Sequence, residues 1–196
     1  MPNDAPLTKE AILDAAEETL RRYGPDKTSV VDVAKALGVS HGTLYRHFAS
    51  KAALREAVTE RWLKRSIVAP LKELRPGKAG AKDKLRLWLD TLMRLKRDCA
   101  AEDPEMFAMY TAVSLEAGEP IAAHVRELTS QIAAILREGR ENGEFEFQDA
   151  ESTAQALFMA TTRFHHPAHA GEWRDPQTEQ LAEAVWELLL SGLSAR

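Results

Sequence analysis

Between Leu37 and Leu54 the chain reads LGVSHGTLYRHFASKAAL, and the side chains able to do chemistry crowd into it. Ser40, Thr43 and Tyr45 bring hydroxyls, His41 and His47 imidazoles, Arg46 a guanidinium and Lys51 an ammonium. Hydroxyls and amines donate to phosphate oxygens, and a guanidinium fork fits the paired O6 and N7 acceptors of guanine. Gly42, among them, has no side chain to hold a surface away. This is the chemistry of recognition. Bond-making has little support: the chain has no glycine-rich phosphate loop, no HExxH and no GxSxG. His41 or His47 with a carboxylate would be a weak acid–base pair on an exposed short helix, so no catalytic residue and no enzyme are expected.

Three helices must hold these groups. Gly38 supplies a tight turn, since glycine takes positive φ without steric cost. Ser40 caps the helix that follows, with Leu44 and Phe48 pointing inward and Tyr45, Arg46 and His47 outward. Upstream, Ser29-Val-Val-Asp32 fits a capping box and opens a helix with Val30, Val33, Ala34 and Leu37 on one face. Before it, Leu7 to Tyr23 reads as an amphipathic helix with Ile12, Ala15, Ala16, Thr19 and Leu20 on one side, ended by Gly24-Pro25. A short, outward-facing helix held by a glycine turn on its predecessor is what a helix-turn-helix reader of DNA needs.

From Ile12 to Leu54 the chain resembles the N-terminal domain of the tetracycline-repressor (TetR) family of bacterial transcriptional regulators. The matching pieces are Ala15-Ala16, Thr28-Ser29-Val30, Val33-Ala34, Leu37-Gly38-Val39-Ser40, Gly42-Thr43-Leu44-Tyr45, His47-Phe48 and Ser50-Lys51 with Leu54. The resemblance implies an all-α chain of about nine helices. Residues 1–50 would form the helix-turn-helix DNA-binding domain and 51–196 a helical ligand-binding and dimerisation domain. It implies phosphate contacts from Thr43, Tyr45 and Lys51, with Thr28 near the backbone, and base-edge positions for Ser40, His41, Gly42 and Arg46. His47 would touch the backbone. Val31 departs from the pattern: relatives often carry a polar or basic residue there, and valine offers only apolar contact, so specificity rests more on His41 and Arg46.

Charge is distributed to match. The net charge is −4, yet Lys27 to Arg65 holds eight basic and three acidic residues, a local net of +5. From Ser66 onward there are 15 basic and 21 acidic residues, a net of −6. A basic end on an acidic remainder aims that end at phosphate. No apolar run approaches the length of a membrane span, and MPNDAPLTKE has neither a cationic start nor an apolar stretch, so no signal peptide is expected. The lone Cys99, expected to be a buried filler, fits a reducing cytoplasm.

The remainder parses into helices separated by Pro and Gly. One runs from Ser50 to about Leu74, stopped by Arg75-Pro-Gly77; another from about Lys82 to Ala100, with Leu85, Trp88, Leu89, Leu92 and Cys99 on one face. Pro104 to Leu115 follows, then Glu119 to about Glu141 with Ile121, Val125, Leu128, Ile132 and Ile135 inside, broken by Asn142-Gly143. Phe145 and Phe147 tether a loop. Asp149 starts a helix to about His165, and the last runs from about Gln177 to Gly192.

Of these last two helices, the first is rich in small residues, and the second carries more apolar surface than one internal face requires. The resemblance pairs them with a second copy, through Ala154, Leu157, Thr161, Leu181, Val185, Leu188 and Leu189. An adaptable aromatic and methionine set (Trp88, Leu92, Met106, Met109, Tyr110 and Phe158) is the candidate lining for a small, largely apolar effector. His165, His166 and His169 could bind metal, but their place at a helix end favours capping, so no metal or cofactor is expected. The expected function is a homodimeric repressor released from a palindromic operator by an effector. The alternatives are a helical adaptor without ligand response, or a metal-responsive regulator acting through the three histidines.

Overall fold

The computed structural model describes residues 7–25, 28–74, 77–116 and 118–194. The expected stop at Arg75-Pro76 lies outside the described residues. Ten α-helices are present among them: α1 (Lys9–Tyr23), α2 (Val30–Ala36), α3 (His41–Tyr45), α4 (Lys51–Leu63), α5 (Ala69–Lys72), α6 (Ala81–Glu102), α7 (Pro104–Leu115), α8 (Glu119–Glu141), α9 (Ala150–Ala160) and α10 (Pro176–Leu193). None is long and apolar enough to cross a membrane. The backbone clusters into two units, Met1–Trp62 with Asp103–Ile121, and Leu63–Glu102 with Ala122–Arg196.

In the first unit, Ile12, Ala16 and Leu20 of α1 are buried, as are Val33 and Ala34 of α2, Leu44, Phe48, and Val58 and Trp62 of α4. Met106, Met109, Tyr110 and Val113 bring α7 into the same core. Asp103 stands at the N-cap position of α7 but makes no cap bond. Its carboxylate is used elsewhere, accepting from Arg21 at 2.9 Å and from the Trp62 indole at 3.1 Å. The face expected on α1 is present but wider, because Leu13 and Glu17 are also buried and Ala15 is only partly so. Glu17 tolerates burial by accepting from Arg61 at 2.7 Å and from Arg21 at 3.2 Å.

The helix expected from Ser50 to Leu74 is interrupted. Lys64–Val68 forms a π-turn in which the Ala69 N–H reaches the Lys64 carbonyl. Pro70 explains it. Proline has no N–H for the carbonyl one turn back, and its ring would collide there, so the helix widens before it.

In the second unit α6 and α8 supply much of the core. On α6, Leu85, Trp88, Leu89 and Leu92 are buried as expected, but Lys96 is buried too, while Cys99 is only partly covered. On α8 the buried face is turned from the expected one. His124, Leu128, Ile132, Leu136 and Gly139 are buried, whereas Ile121, Val125 and Ile135 are only partly covered. Leu128 and Ile132 belong to both stripes, so spacing alone could not choose between them. Phe145 makes an isolated antiparallel bridge to Ser194 rather than a strand.

Phe145 also fixes Gly139. A Cβ there would sit 2.2 Å from the Phe145 ring and 2.8 Å from the Ala81 Cβ. Gly139→Ala is therefore expected to destabilise the chain by about 1–3 kcal/mol despite alanine's better helix propensity. Urea denaturation checks this, and an alanine variant as stable as the parent would contradict the packing.

Candidate functional site

The recognition segment is built by local bonds. Ser29 Oγ accepts from the Asp32 N–H at 3.3 Å, and Asp32 Oδ2 accepts from the Ser29 N–H at 3.0 Å, a complete capping box. The bonds from Ser29 hold the Asp32 carboxyl below its ordinary range. At the other end of α2, Gly38 takes φ +66°. Its N–H reaches Lys35 O at 3.1 Å and the Val39 N–H reaches Ala34 O at 3.0 Å, the paired bonds of a Schellman turn. Ser40 then caps α3, accepting from the Thr43 N–H at 3.3 Å.

This leaves the expected groups from Ser40 to His47 exposed or partly exposed around a short helix. Leu44 and Phe48 are buried beneath α3, while Tyr45 is 51% exposed. Ser40, His41, Gly42 and Arg46 are exposed, and Thr43 and His47 partly so. Arg46 donates to Thr43 Oγ1 at 3.3 Å, which draws the guanidinium back along the helix face. Val31 is 49% exposed on α2, so the apolar departure does lie on the surface.

Thr28 and Lys51, far apart in sequence, line one crevice with Arg55 and Met109. The Thr28 hydroxyl is already engaged, donating to the Gly24 carbonyl at 2.7 Å. A phosphate bond from that hydroxyl would need this one to be exchanged. Arg55 was not among the expected residues, and its guanidinium is held by Glu116.

The expected effector lining is divided between the units. Met106, Met109 and Tyr110 belong to the first, where Tyr110 packs against Trp62 with ring centroids 6.0 Å apart. Trp88, Leu92 and Phe158 belong to the second and are buried there. The Trp88 indole donates to Gln131 Oε1 at 2.9 Å, and Phe158 lies 4.5 Å from the His165 ring. Gln131 was missed, because nothing in sequence ties it to a tryptophan on another helix.

The three histidines are not aimed at one point. His165 is 3% exposed and sits against Phe158 and Thr161. His166 Nδ1 accepts from the Ala168 N–H at 3.3 Å, as a cap does. His169 lies 3.7 Å from Glu172. Among the described residues no three His, Cys, Asp or Glu side chains are grouped to hold a metal.

The dimer residues also divide. Ala154, Leu157 and Thr161 are buried within the chain itself, so the outward face of α9 is that of Met159, 70% exposed. On α10, Leu188 is 75% and Leu181 46% exposed, Val185 and Leu189 are partly covered, and Trp186, Leu190 and Leu193 are buried.

Comparison with known proteins agrees with this geometry. The family model described as "Bacterial regulatory proteins, tetR family" matches residues 12–58. The model described as "Tetracyclin repressor-like, C-terminal domain" matches residues 81–186, more than half the chain. An uncharacterised HTH-type transcriptional regulator of Mycobacterium tuberculosis is 30% identical over 133 residues, 66% of this chain. The matched region spans 62% of that relative's length. An HTH-type transcriptional repressor of the same bacterium is 26% identical over 188 residues, covering 96% of this chain and 81% of the repressor. The crystal structure of a TetR family transcriptional regulator from Pseudomonas syringae shares the fold, with a TM-score of 0.64 at 22% identity over 96% of this chain and 98% of that one. With its recognition segment and its C-terminal helices both matched, the chain belongs to the TetR family of transcriptional regulators.

Proposed function

We propose that this chain is a repressor that binds a palindromic operator as a homodimer and is released by a small, largely apolar molecule. One observation carries the DNA-binding reading. A capped five-residue helix, His41–Tyr45, is sealed beneath by Leu44 and Phe48 and leaves Tyr45 and Arg46 exposed. In this reading residues 1–50 form the DNA-binding domain, Arg46 and His41 read base edges, and Thr43, Tyr45 and Lys51 hold phosphates. His47 and Thr28 lie beside the backbone. The exposed Met159, Leu181 and Leu188 support pairing with a second copy through α9 and α10. Two such heads would enter successive major grooves about 34–36 Å apart.

Release is a matter of differential affinity. An effector lowers DNA binding only as far as it prefers the weakly binding state, and about 1.4 kcal/mol of preference gives a tenfold loss. By linkage, operator DNA weakens effector binding by the same factor.

Reading and positioning separate by mutation. Arg46→Ala is expected to cost about 1–3 kcal/mol and to relax preference at one base pair of each half-site. Lys51→Ala is expected to weaken all sequences alike and to flatten the salt dependence. Binding titrations against operator variants at several salt concentrations check both. Indistinguishable effects of the two changes on every DNA would contradict the assignment.

A further inference from the structure

Arg55 lies one turn beyond Lys51 on α4, and residues four apart are neighbours on one helix face. The two border the same crevice, together with Thr28 and Ser29 at the start of α2. All four belong to the first unit. Lys51 and Thr28 are residues of the proposed phosphate contact, so Arg55 brings a second cation to that edge.

The way Arg55 is held sets it apart from Arg21 and Arg61. Arg21 grips Asp103 through Nε at 3.1 Å and Nη2 at 2.9 Å. Arg61 uses all three nitrogens, Nε and Nη2 on Glu17 and Nη1 on Glu10 and Asp14. Arg55 meets Glu116 through Nη2 alone, which leaves Nη1 to another acceptor. Its Nε is shielded from solvent and meets no acceptor. An orphaned donor marks a resting place that is not the arginine's best.

Glu116 is an odd partner as well. It stands at the C-cap of α7, where the helix's own carbonyls disfavour a carboxylate. The needs of α7 do not explain it. Its side chain is 51% exposed, and an ion pair this open contributes little in water. A stronger acceptor can replace it at small cost. A phosphate is such an acceptor, with charge and oxygens for both terminal nitrogens.

We propose that Arg55 is a further phosphate-binding residue, held in reserve by Glu116, and that DNA binding exchanges the Glu116 carboxylate for a phosphate on Nη1 and Nη2. Glu116 is then an internal competitor that lowers affinity for every sequence alike. The proposal rests on the reading of the chain as DNA-binding and adds to it one contact and its restraint.

The test uses the full chain and a duplex of arbitrary sequence, because phosphate contacts do not depend on sequence. Fluorescence anisotropy between about 50 and 200 mM salt gives the affinity and its salt slope. Circular dichroism shows that each variant is folded. Glu116→Gln keeps the shape and removes the charge, and is expected to tighten binding about threefold or more. Arg55→Ala in that background is expected to weaken binding about tenfold and to flatten the slope by about 0.9 for each protomer. Arg55→Lys in the same background keeps the cation and is expected to restore the slope. A merely structural ion pair would lower stability and leave the slope alone. Weaker binding by Glu116→Gln overturns the proposal, as does an unchanged slope on Arg55→Ala in that background. Failure of the broader reading looks different. The parent chain would then not bind the duplex even at the lowest salt, and both fall. If the parent binds and Lys51→Ala flattens the slope while Arg55→Ala does not, the DNA-binding reading stands and the part given to Arg55 falls.

Discussion

Lys96→Met is expected to stabilise the chain at pH 7 by about 1–4 kcal/mol. Lys96 is 2% exposed on the apolar face of α6, with its amine 3.3 Å from His124 Nε2. His124 and His165, 7% and 3% exposed, act on the same interior. Burial lowers the Lys96 ammonium from 10.5 to about 7, with the Cys99 thiol only partly opposing. Burial and the Lys96 charge likewise hold His124 well below its ordinary value and bring His165 to about 3. Methionine fills a similar volume and asks for no such desolvation.

The sign with pH follows. Between about 7 and 10.5 the unfolded chain keeps a proton on Lys96 that the folded chain has released. Stability must then rise with pH across that window, and the full penalty is present below it. For His165 the window lies between about 3 and 6.5, again with stability rising as pH rises. The methionine variant keeps the acid-side rise and lacks the alkaline one, so its advantage shrinks as pH approaches about 10. Chemical denaturation of both proteins at pH 7 and near pH 10 measures this. A methionine variant less stable at both would show that the amine's contacts outweigh its burial.

The second large effect concerns assembly. Leu188→Glu combined with Met159→Glu is expected to leave the fold intact and to split the proposed homodimer. The two positions are 75% and 70% exposed in the single chain, so folding has little invested in them. Across a twofold axis the same patch faces itself, and each new carboxylate would meet like charge without water to screen it. The second half-site is then no longer engaged intramolecularly. Affinity for a palindrome is expected to fall about a hundredfold or more, while affinity for a single half-site stays unchanged. Sedimentation and DNA titration together decide the matter. A variant that remains dimeric would move the interface away from α9 and α10.

What was legible in the sequence was local. The capping box at Ser29 and Asp32, the turn at Gly38 and the cap at Ser40 are bonds within a few residues, and each forms as the residue types dictate. The expected groups on and around α3 are therefore exposed or partly so, while Thr28 and Lys51 line a crevice of the same unit. What was illegible depends on partners remote in sequence. Glu144 caps α6 from across the unit, accepting from the Ala81 N–H at 2.9 Å, although 63 residues separate them. Gln131 takes its orientation from Trp88, 43 residues away. Ala154, Leu157 and Thr161 read as interface because small and apolar residues serve equally well inside a chain and between chains. Lys96 was overlooked although it stands four residues after Leu92, because lysine is expected in water.

The π-turn at Lys64–Val68 sets the register of the helix that follows it. Its bond encloses one more residue than an α-helical turn does. This chain thus carries one residue beyond what an unbroken helix of the same span requires. Removing that residue alone would swing every later side chain on the helix by about 100°. The burial of Ile67, Val68 and Leu71 thus depends on the bulge keeping its extra residue.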